Sequence, residues 1–181
     1  IHDFSPIKCR AEKTPQESIA FMASMSTALK TCTRAMTVSK NTLNDAKAVF
    51  PQFADKCVAI PHGVSEEFQR EENEDILNRV AAGYGYSRNS ILYLGGTQPH
   101  KNIPNLLRGY AKALPLLNGA ELVLAGFNCN KTSYLVELID SLGITENVKW
   151  IGGIIDADLP VVFSSVKAFV MPSLYEGFGL T

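Results

Sequence analysis

Short apolar runs alternate along the chain with amphipathic stretches, and this alternation predicts strands interleaved with helices. In the first third, apolar side chains recur at helical spacing over residues 15–30, and apolar runs at 35–38 and 57–60 predict strands. Ser39 follows the first of these strands and is placed to cap a helix over about 41–49.

A second series of elements begins near Ser90. The pattern predicts strands over 91–94, 121–125, 148–151 and 168–171, and helices over 103–114, 134–142 and 156–164. The first three strand starts are separated by about 30 residues, the size of a βαβ unit. Because the runs are continuously apolar, both faces of the sheet are expected to be covered by helices, as in a parallel sheet.

The stretch between the two series, residues 65–74, is polar and rich in glutamate. It is typical of a linker or a domain boundary. The sequence therefore predicts an α/β fold of two doubly wound, Rossmann-type lobes joined near 65–75. In such sheets a ligand lies beyond the carboxyl ends of the strands.

Composition and charge exclude several classes of protein. The chain has 181 residues, of which 46% are hydrophobic and 19% charged, and its net charge is −1. These values argue against a disordered chain and against a field that recruits nucleic acid. No apolar run approaches the roughly 20 residues of a spanning helix, and no leader is visible. Four cysteines without a C-x-x-C pair indicate reduced thiols.

Two glycine-containing segments follow predicted strands and carry candidate chemistry. Residues 94–102 combine Gly95 and Gly96 with Lys101 before a predicted helix, whose cap is expected to be Asn102. Backbone N–H groups, a helix start and a lysine together favour a phosphate. The spacing matches neither a P-loop nor the G-x-G-x-x-G fingerprint, and an ordinary loop with a surface lysine is the alternative.

The second segment covers residues 171–180. Glu176 is suited to accept hydrogen bonds from sugar hydroxyls, and the N–H groups of residues 177–180 are suited to face a phosphate. The alternative is a tight turn with a solvated glutamate.

Histidines and paired acids are weaker signals. His2 precedes Asp3 and is suited to exchange a proton with a reacting group near neutral pH, although a lone histidine is more often structural. His62 is interpreted as part of a turn. Asp156 and Asp158 spell D-x-D, but they precede Leu-Pro and are interpreted as helix-capping residues.

Four segments together resemble the family 4 glycosyltransferases, which are retaining enzymes of the two-lobed GT-B fold that use nucleotide-sugar donors. The resemblance covers nearly the whole chain and rests on residues 36–39, 60–64, 96–102 and 172–180. It implies that residues 1–64 are the end of the acceptor lobe and that residues 76–181 are most of the donor lobe. The second glutamate of the family's E-x7-E pair would fall beyond Thr181, so the chain resembles the middle of a longer protein with both lobes incomplete.

The resemblance also implies residue roles. His2, Lys101 and Glu176 match catalytic positions of the family. Lys101 would contact the donor diphosphate, Glu176 the transferred sugar, and His2 would lie near that sugar. The implied donor-binding residues are Gly96, Thr97, Lys101, Gly152, Gly153, Ile154, Glu176, Gly177, Phe178, Gly179 and Leu180.

The expected function is retaining transfer of a hexose from a nucleotide diphosphate donor to an acceptor hydroxyl. The implied setting is cell-surface polysaccharide biosynthesis, with a saccharide or lipid-linked acceptor and a cytoplasmic location, peripheral membrane contact being left open. No metal or cofactor is expected, since the nucleotide sugar is a substrate. A nucleotide-sugar epimerase of the same fold and a non-catalytic, nucleotide-sugar-binding half of a split enzyme are the alternatives.

Overall fold

The chain folds into two compact units. The computed structural model describes residues 1–9, 12–126, 129 and 131–181. The first unit comprises Ile1–Val64 and Leu174–Thr181, and the second comprises Ser65–Ser173. None of the helices in the described part of the chain is long and apolar enough to cross a membrane.

The first unit contains a short parallel sheet flanked by helices. Its elements are α1 (Ser5–Lys8), α2 (Pro15–Thr31), β1 (Ala35–Thr37), α3 (Lys40–Val49) and β2 (Cys57–Ala59). β1 and β2 pair in parallel. The predicted elements over 15–30, 35–38, 41–49 and 57–60 are confirmed.

Side-chain caps explain where the helices of the first unit begin. The Thr14 hydroxyl accepts a hydrogen bond from the Glu17 N–H at 3.2 Å, and the Glu17 carboxylate accepts from the Thr14 N–H at 2.7 Å. This reciprocal pair satisfies two N–H groups at the start of α2. Ser39 caps α3 as expected, because its hydroxyl accepts from the Thr42 N–H at 3.0 Å.

The second unit is a doubly wound parallel sheet in the order β5-β4-β3-β6. Its elements are α4 (Glu74–Tyr84), β3 (Ser90–Leu94), α5 (Ile103–Ala113), β4 (Glu121–Ala125), α6 (Ser133–Ser141), β5 (Val148–Gly152), α7 (Leu159–Ser165) and β6 (Ala168–Phe169). The predicted strands and helices of this region are found, except that the last strand is shorter than the predicted 168–171 and the helix predicted over 156–164 begins as a 3-10 turn over Asp156–Asp158. Helix α4 was not predicted.

Both faces of this sheet are buried. Leu122 and Leu124 of β4 pack with α5 and α6, whereas Val123 and Ala125 pack with α4 and α7. Alternate residues of one strand therefore enter two separate hydrophobic cores, which is why the run is continuously apolar.

The polar stretch predicted as a linker lies against the second unit. The centroids of the Phe68 and Phe163 rings are 6.4 Å apart, and the Glu71 N–H donates to the Ser164 hydroxyl at 3.0 Å. These contacts place residues after Val64 on the second unit, so the compact units divide between Val64 and Ser65.

Residues 174–181 differ from expectation in the unit they join. The resemblance assigns them to the donor lobe with residues 76–173, but they group with the first unit. The physical reason is that the Tyr175 hydroxyl and the Gly177 carbonyl form hydrogen bonds with residues of that unit, as described below. The assignment of the two units as acceptor and donor lobes stays a prediction.

Candidate functional site

Three neighbouring strands of the second unit are followed or ended by glycines at the carboxyl edge of the sheet. The Gly95 N–H donates to the Ala125 carbonyl at 2.9 Å, and the Gly126 N–H donates to the Gly152 carbonyl at 2.7 Å. Gly126 has a φ of 129°, and a Cβ built there would overlap the Gly95 carbonyl oxygen. A side chain at position 126 is therefore excluded, so only glycine allows the two backbones to approach this closely.

The loop after β3 carries two of the predicted donor-binding residues. Gly96 and Thr97 are half-buried there. The Tyr93 hydroxyl donates to the Gly96 carbonyl at 2.6 Å, which fixes the direction of the loop as it leaves the sheet.

Lys101 lies immediately before α5, where the loop returns to the sheet edge. It ends a short 3-10 turn over Pro99–Lys101 and is half-buried. Since helix N-termini carry partial positive charge, the lysine adds a full charge to a terminus that already favours anions.

Asn102 does not cap α5 with its side chain, contrary to expectation. It adopts a left-handed backbone conformation with a φ of 61°. The Asn102 side-chain NH2 donates to the Pro172 backbone carbonyl at 3.0 Å. The Asn102 side-chain oxygen accepts from the Asn105 side-chain NH2 at 2.8 Å. Asn102 thus ties the start of α5 to the segment after β6.

The segment after β5 exposes backbone and buries one side chain. Gly152 is exposed with a φ of 71°, and Gly153 is half-buried. The Ile154 side chain is only 4% exposed and packs in the core beside Ala81 and Val123. The Ile154 side chain therefore anchors the loop to the hydrophobic core. Only the backbone of Ile154 is left to contact a ligand.

Asp158 occupies the N-cap position of α7, as expected, but its side chain makes no cap hydrogen bond. Asp156 and Asp158 are the first and last residues of a 3-10 turn, and no side chain caps the start of this turn. The Asp158 carboxylate instead accepts from the Tyr84 hydroxyl at 3.0 Å, and that hydroxyl accepts from the Ile155 N–H at 3.1 Å. Burial, followed by the Asp158 hydrogen bond and charge, raises the pKa of Tyr84 although the Ile155 N–H opposes the rise.

In the first unit, the carbonyl of Gly177 is held by the start of α3. The Ser39 hydroxyl donates to it, and the Thr42 hydroxyl lies 3.1 Å from it and 3.3 Å from the His2 carbonyl. A Cβ at Gly177 would overlap the His2 carbonyl oxygen. Gly177 is therefore required for the close approach of two chain segments. Beside it, the Asn41 amide donates to the Glu176 carbonyl at 3.0 Å.

Tyr175 anchors the same segment from the other side. Its hydroxyl accepts from the Phe4 N–H at 3.0 Å and donates to the Asp45 carboxylate at 2.8 Å. Asp45 is only 7% exposed and also pairs with the Lys8 ammonium at 2.6 Å. Burial, followed by the hydrogen bond to Asp45, raises the pKa of Tyr175.

Replacing Tyr175 by phenylalanine is expected to lower the free energy of unfolding by about 1–3 kcal/mol, because it leaves the Phe4 N–H and one Asp45 oxygen unpaired. The raised pKa means that the folded protein keeps the phenol proton where an unfolded tyrosine, with a pKa of about 10, has lost it. The difference in unfolding free energy between wild type and Tyr175→Phe is therefore full below pH 10 and shrinks as the pH rises above it. Urea unfolding of both proteins between pH 7 and pH 11 measures this, and a gap that widens with pH would contradict it.

A row of three rings lies next to Gly177. The centroids of the His2 and His62 rings are 6.0 Å apart and the rings are nearly parallel at 22°, whereas the His62 and Phe178 rings are nearly perpendicular at 87°, with centroids 5.2 Å apart. All three side chains are exposed, Phe178 by 38%. The chain then continues through Gly179, with a φ of 81°, to an exposed Leu180.

The structure thus brings the predicted residues together in two groups, one in each unit. His2, Glu176, Gly177, Phe178, Gly179 and Leu180 lie in the first unit, and Gly96, Thr97, Lys101, Gly152, Gly153 and Ile154 lie in the second. Their roles in donor binding and catalysis stay predictions.

Several residues that build these groups were missed from the sequence. In the sequence, Gly126 is only the end of a strand, Asp45 only a polar position of a helix, and Tyr175 only an aromatic residue. None of them forms part of a recognisable pattern. His62 was interpreted only as a turn residue, because ring contacts between distant segments leave no periodic trace.

Comparisons with known proteins agree on one family. Residues 79–181 match the model of the family described as glycosyl transferases group 1. The O-antigen chain mannosyltransferase B of Escherichia coli is 29% identical in an alignment covering 99% of this chain and 47% of that protein. The chain spans about half the length of the curated relatives it matches over its whole extent.

Solved structures share the fold at low sequence identity. HepE of Anabaena, in complex with UDP and glucose, superposes with a TM-score of 0.73 at 18% identity, covering 98% of this chain and 46% of that chain. Sucrose-phosphate synthase from Thermosynechococcus elongatus gives 0.71 at 19% identity, covering 99% and 45%. The predicted GT-B-like α/β fold is confirmed, and the chain belongs to the glycosyl transferases group 1 family.

Proposed function

We propose that the protein transfers a sugar from a nucleotide diphosphate donor to an acceptor hydroxyl and retains the configuration of the anomeric carbon. The observation that carries this proposal is the group of glycines at the carboxyl ends of β3, β4 and β5 in the second unit, together with Lys101 just before α5. The name of the E. coli mannosyltransferase supports sugar transfer, and the complexes of HepE with UDP-glucose and with UDP and glucose support a nucleotide sugar.

The reaction needs a group that stabilises the departing diphosphate. The bond between the anomeric carbon and the diphosphate oxygen breaks, and a bond from the acceptor oxygen forms on the same face of the sugar. The acceptor proton passes to the leaving phosphate oxygen. Lys101, the loop N–H groups and the start of α5 stabilise the negative charge that develops there, so the proposal requires no metal ion.

The first unit supplies the groups proposed to contact the sugar. Glu176 accepts hydrogen bonds from hydroxyls of the transferred sugar, and His2 lies beside its reacting carbon. Because Gly177 is held by the start of α3 and Tyr175 by Phe4 and Asp45, the carboxylate of Glu176 is attached to a backbone fixed on both sides. Such fixed positioning is what orientation effects in catalysis require.

The acceptor is proposed to be a saccharide or a lipid-linked saccharide of cell-surface polysaccharide biosynthesis. The support is the E. coli relative named an O-antigen chain mannosyltransferase and the Salmonella typhimurium relative RfbU of the same description. A cytoplasmic enzyme with peripheral membrane contact fits such an acceptor.

A thermal-shift panel of UDP-glucose, UDP-N-acetylglucosamine, GDP-mannose and ADP-glucose tests donor binding by the purified protein. A ligand at about 100 times its Kd adds about 2.7 kcal/mol of stability, so the correct donor raises the Tm by several degrees. Glu176→Gln is expected to weaken the response to the nucleotide sugar and leave that to the free nucleotide nearly intact. Equal loss of both would indicate a folding role for Glu176.

Product analysis then tests the reaction itself. Transfer with an acceptor should yield a glycoside whose anomeric NMR coupling matches the donor, with EDTA leaving the rate unchanged. Conversion of the nucleotide sugar without an acceptor would assign an epimerase. Donor binding without any transfer would assign a non-catalytic binding protein, and inversion of the anomeric carbon would overturn retention.

A further inference from the structure

The ring row, defined as His2, His62 and Phe178, joins three separate parts of the first unit. His2 comes from the first residues, His62 from the irregular segment after β2, where the expected turn is not found, and Phe178 from the glycine-containing segment. His62 is the middle member, in contact with both other rings. Its interpretation as a turn residue leaves these contacts unexplained.

Neither turn geometry nor core packing accounts for an aromatic ring at position 62. The following Gly63 does not occupy the left-handed region, and nothing lies within 4 Å of a Cβ built on it. Position 63 therefore shows no conformation or close approach that would explain the ring contacts of His62. The three rings are also exposed, whereas the core of the unit is formed by other residues, including Phe4, Leu29 and Phe50.

Exposed rings fixed beside polar groups are suited to a ligand with one apolar face. Aromatic faces carry partial negative charge, and the C–H face of a hexose is its partly positive and least hydrated side. Glu176 follows Tyr175 and precedes Gly177, both held by hydrogen bonds, so a carboxylate lies in the same segment as the Phe178 ring. Sugar sites need this combination of an apolar surface and a few polar groups of fixed position.

We infer that His62 is a sugar-contacting residue, the central ring of a platform on which a hexose stacks with its C–H face. The solvent-exposed part of the His62 ring carries the contact, and the His2 ring, nearly parallel to it, and the Phe178 ring, perpendicular to it, hold it in orientation. The inference rests on the proposed function. It adds an apolar contact with the sugar, made by His62, which has no role in that function as proposed above.

Saturation-transfer difference NMR with methyl α-glycosides of mannose, glucose, galactose and N-acetylglucosamine tests the platform directly in the purified protein. Saturation of aromatic protons is expected to reach the ring C–H protons of at least one glycoside. His62→Ala should weaken its Kd roughly 2- to 10-fold, the range for loss of a stacking ring, whereas His62→Phe should stay within about twofold of wild type.

Two further variants separate the inference from the proposed function. Tyr134→Ala removes an aromatic side chain that is 56% exposed on α6 and should leave glycoside binding unchanged. Lys101→Ala should lower the rate of sugar transfer but keep glycoside binding. An unchanged melting temperature of His62→Ala shows that the fold persists.

The outcomes are decisive in each direction. No saturation transfer in wild type, equal binding by His62→Ala, or equal loss in His62→Phe and His62→Ala would each overturn the platform. If nucleotide sugars bind and are turned over in that case, the proposed function stands without the platform. If glycosides bind through His62 but no nucleotide sugar does, the platform stands and the donor assignment fails.

Discussion

Replacing Lys101 by alanine is expected to lower kcat/KM for sugar transfer about 10²-fold or more. The lysine is the charge placed next to the start of α5, where the departing diphosphate gains negative charge. Removal of one preorganised charge or hydrogen-bond donor from such a position typically costs this much. Steady-state kinetics with saturating acceptor measure the change, and most of the loss should lie in kcat, because the charge is largest in the transition state.

Lys112 offers a matched control on the same helix. It is exposed in the last turn of α5, so Lys112→Ala removes the same charge from the opposite end of the helix. We expect near-wild-type kinetics for this variant, with at most a small loss of stability from the helix dipole. Lys101→Arg should keep part of the activity. Unchanged turnover by Lys101→Ala would remove Lys101 from the mechanism.

Replacing Gly177 by alanine is expected to reduce transfer about 10²-fold while the second unit stays folded. The new Cβ would overlap the His2 carbonyl oxygen and lie 2.9 Å from the Asp3 Cβ, so one of the two segments must shift. The shift would displace His2, Glu176 and Phe178 together. A misplacement of about 1 Å at reacting groups costs about this factor.

Gly63→Ala is the control for that substitution in the same unit. Nothing lies within 4 Å of a Cβ at Gly63, so alanine should be accommodated with nearly unchanged activity and melting temperature. Near-normal transfer by Gly177→Ala, with an intact circular dichroism spectrum, would show that the close approach of residues 2 and 177 is not needed for function.

The hydrophobic pattern predicted the sheet of the second unit well because its central strands, β3 and β4, are buried on both faces. The runs 91–94 and 122–125 have no polar interruption, and glycine ends both. Helix α4 escaped the prediction because its polar start merges with the glutamate-rich stretch before it. The structure gives it a clear start, since the Asn73 side chain accepts from the N–H groups of Asp75 and Ile76 at 3.0 and 3.3 Å.

The sequence by itself determined the α/β class, the parallel strands and the segments that carry the candidate chemistry. Each of these depends on residues close along the chain, where burial period, glycine and capping groups act locally. Only the tertiary structure decided that Gly177 approaches His2, that Tyr175 meets the buried Asp45, and that His62 joins His2 to Phe178. These contacts link residues 60 to 175 positions apart, and such contacts depend on packing and shape that no local pattern encodes.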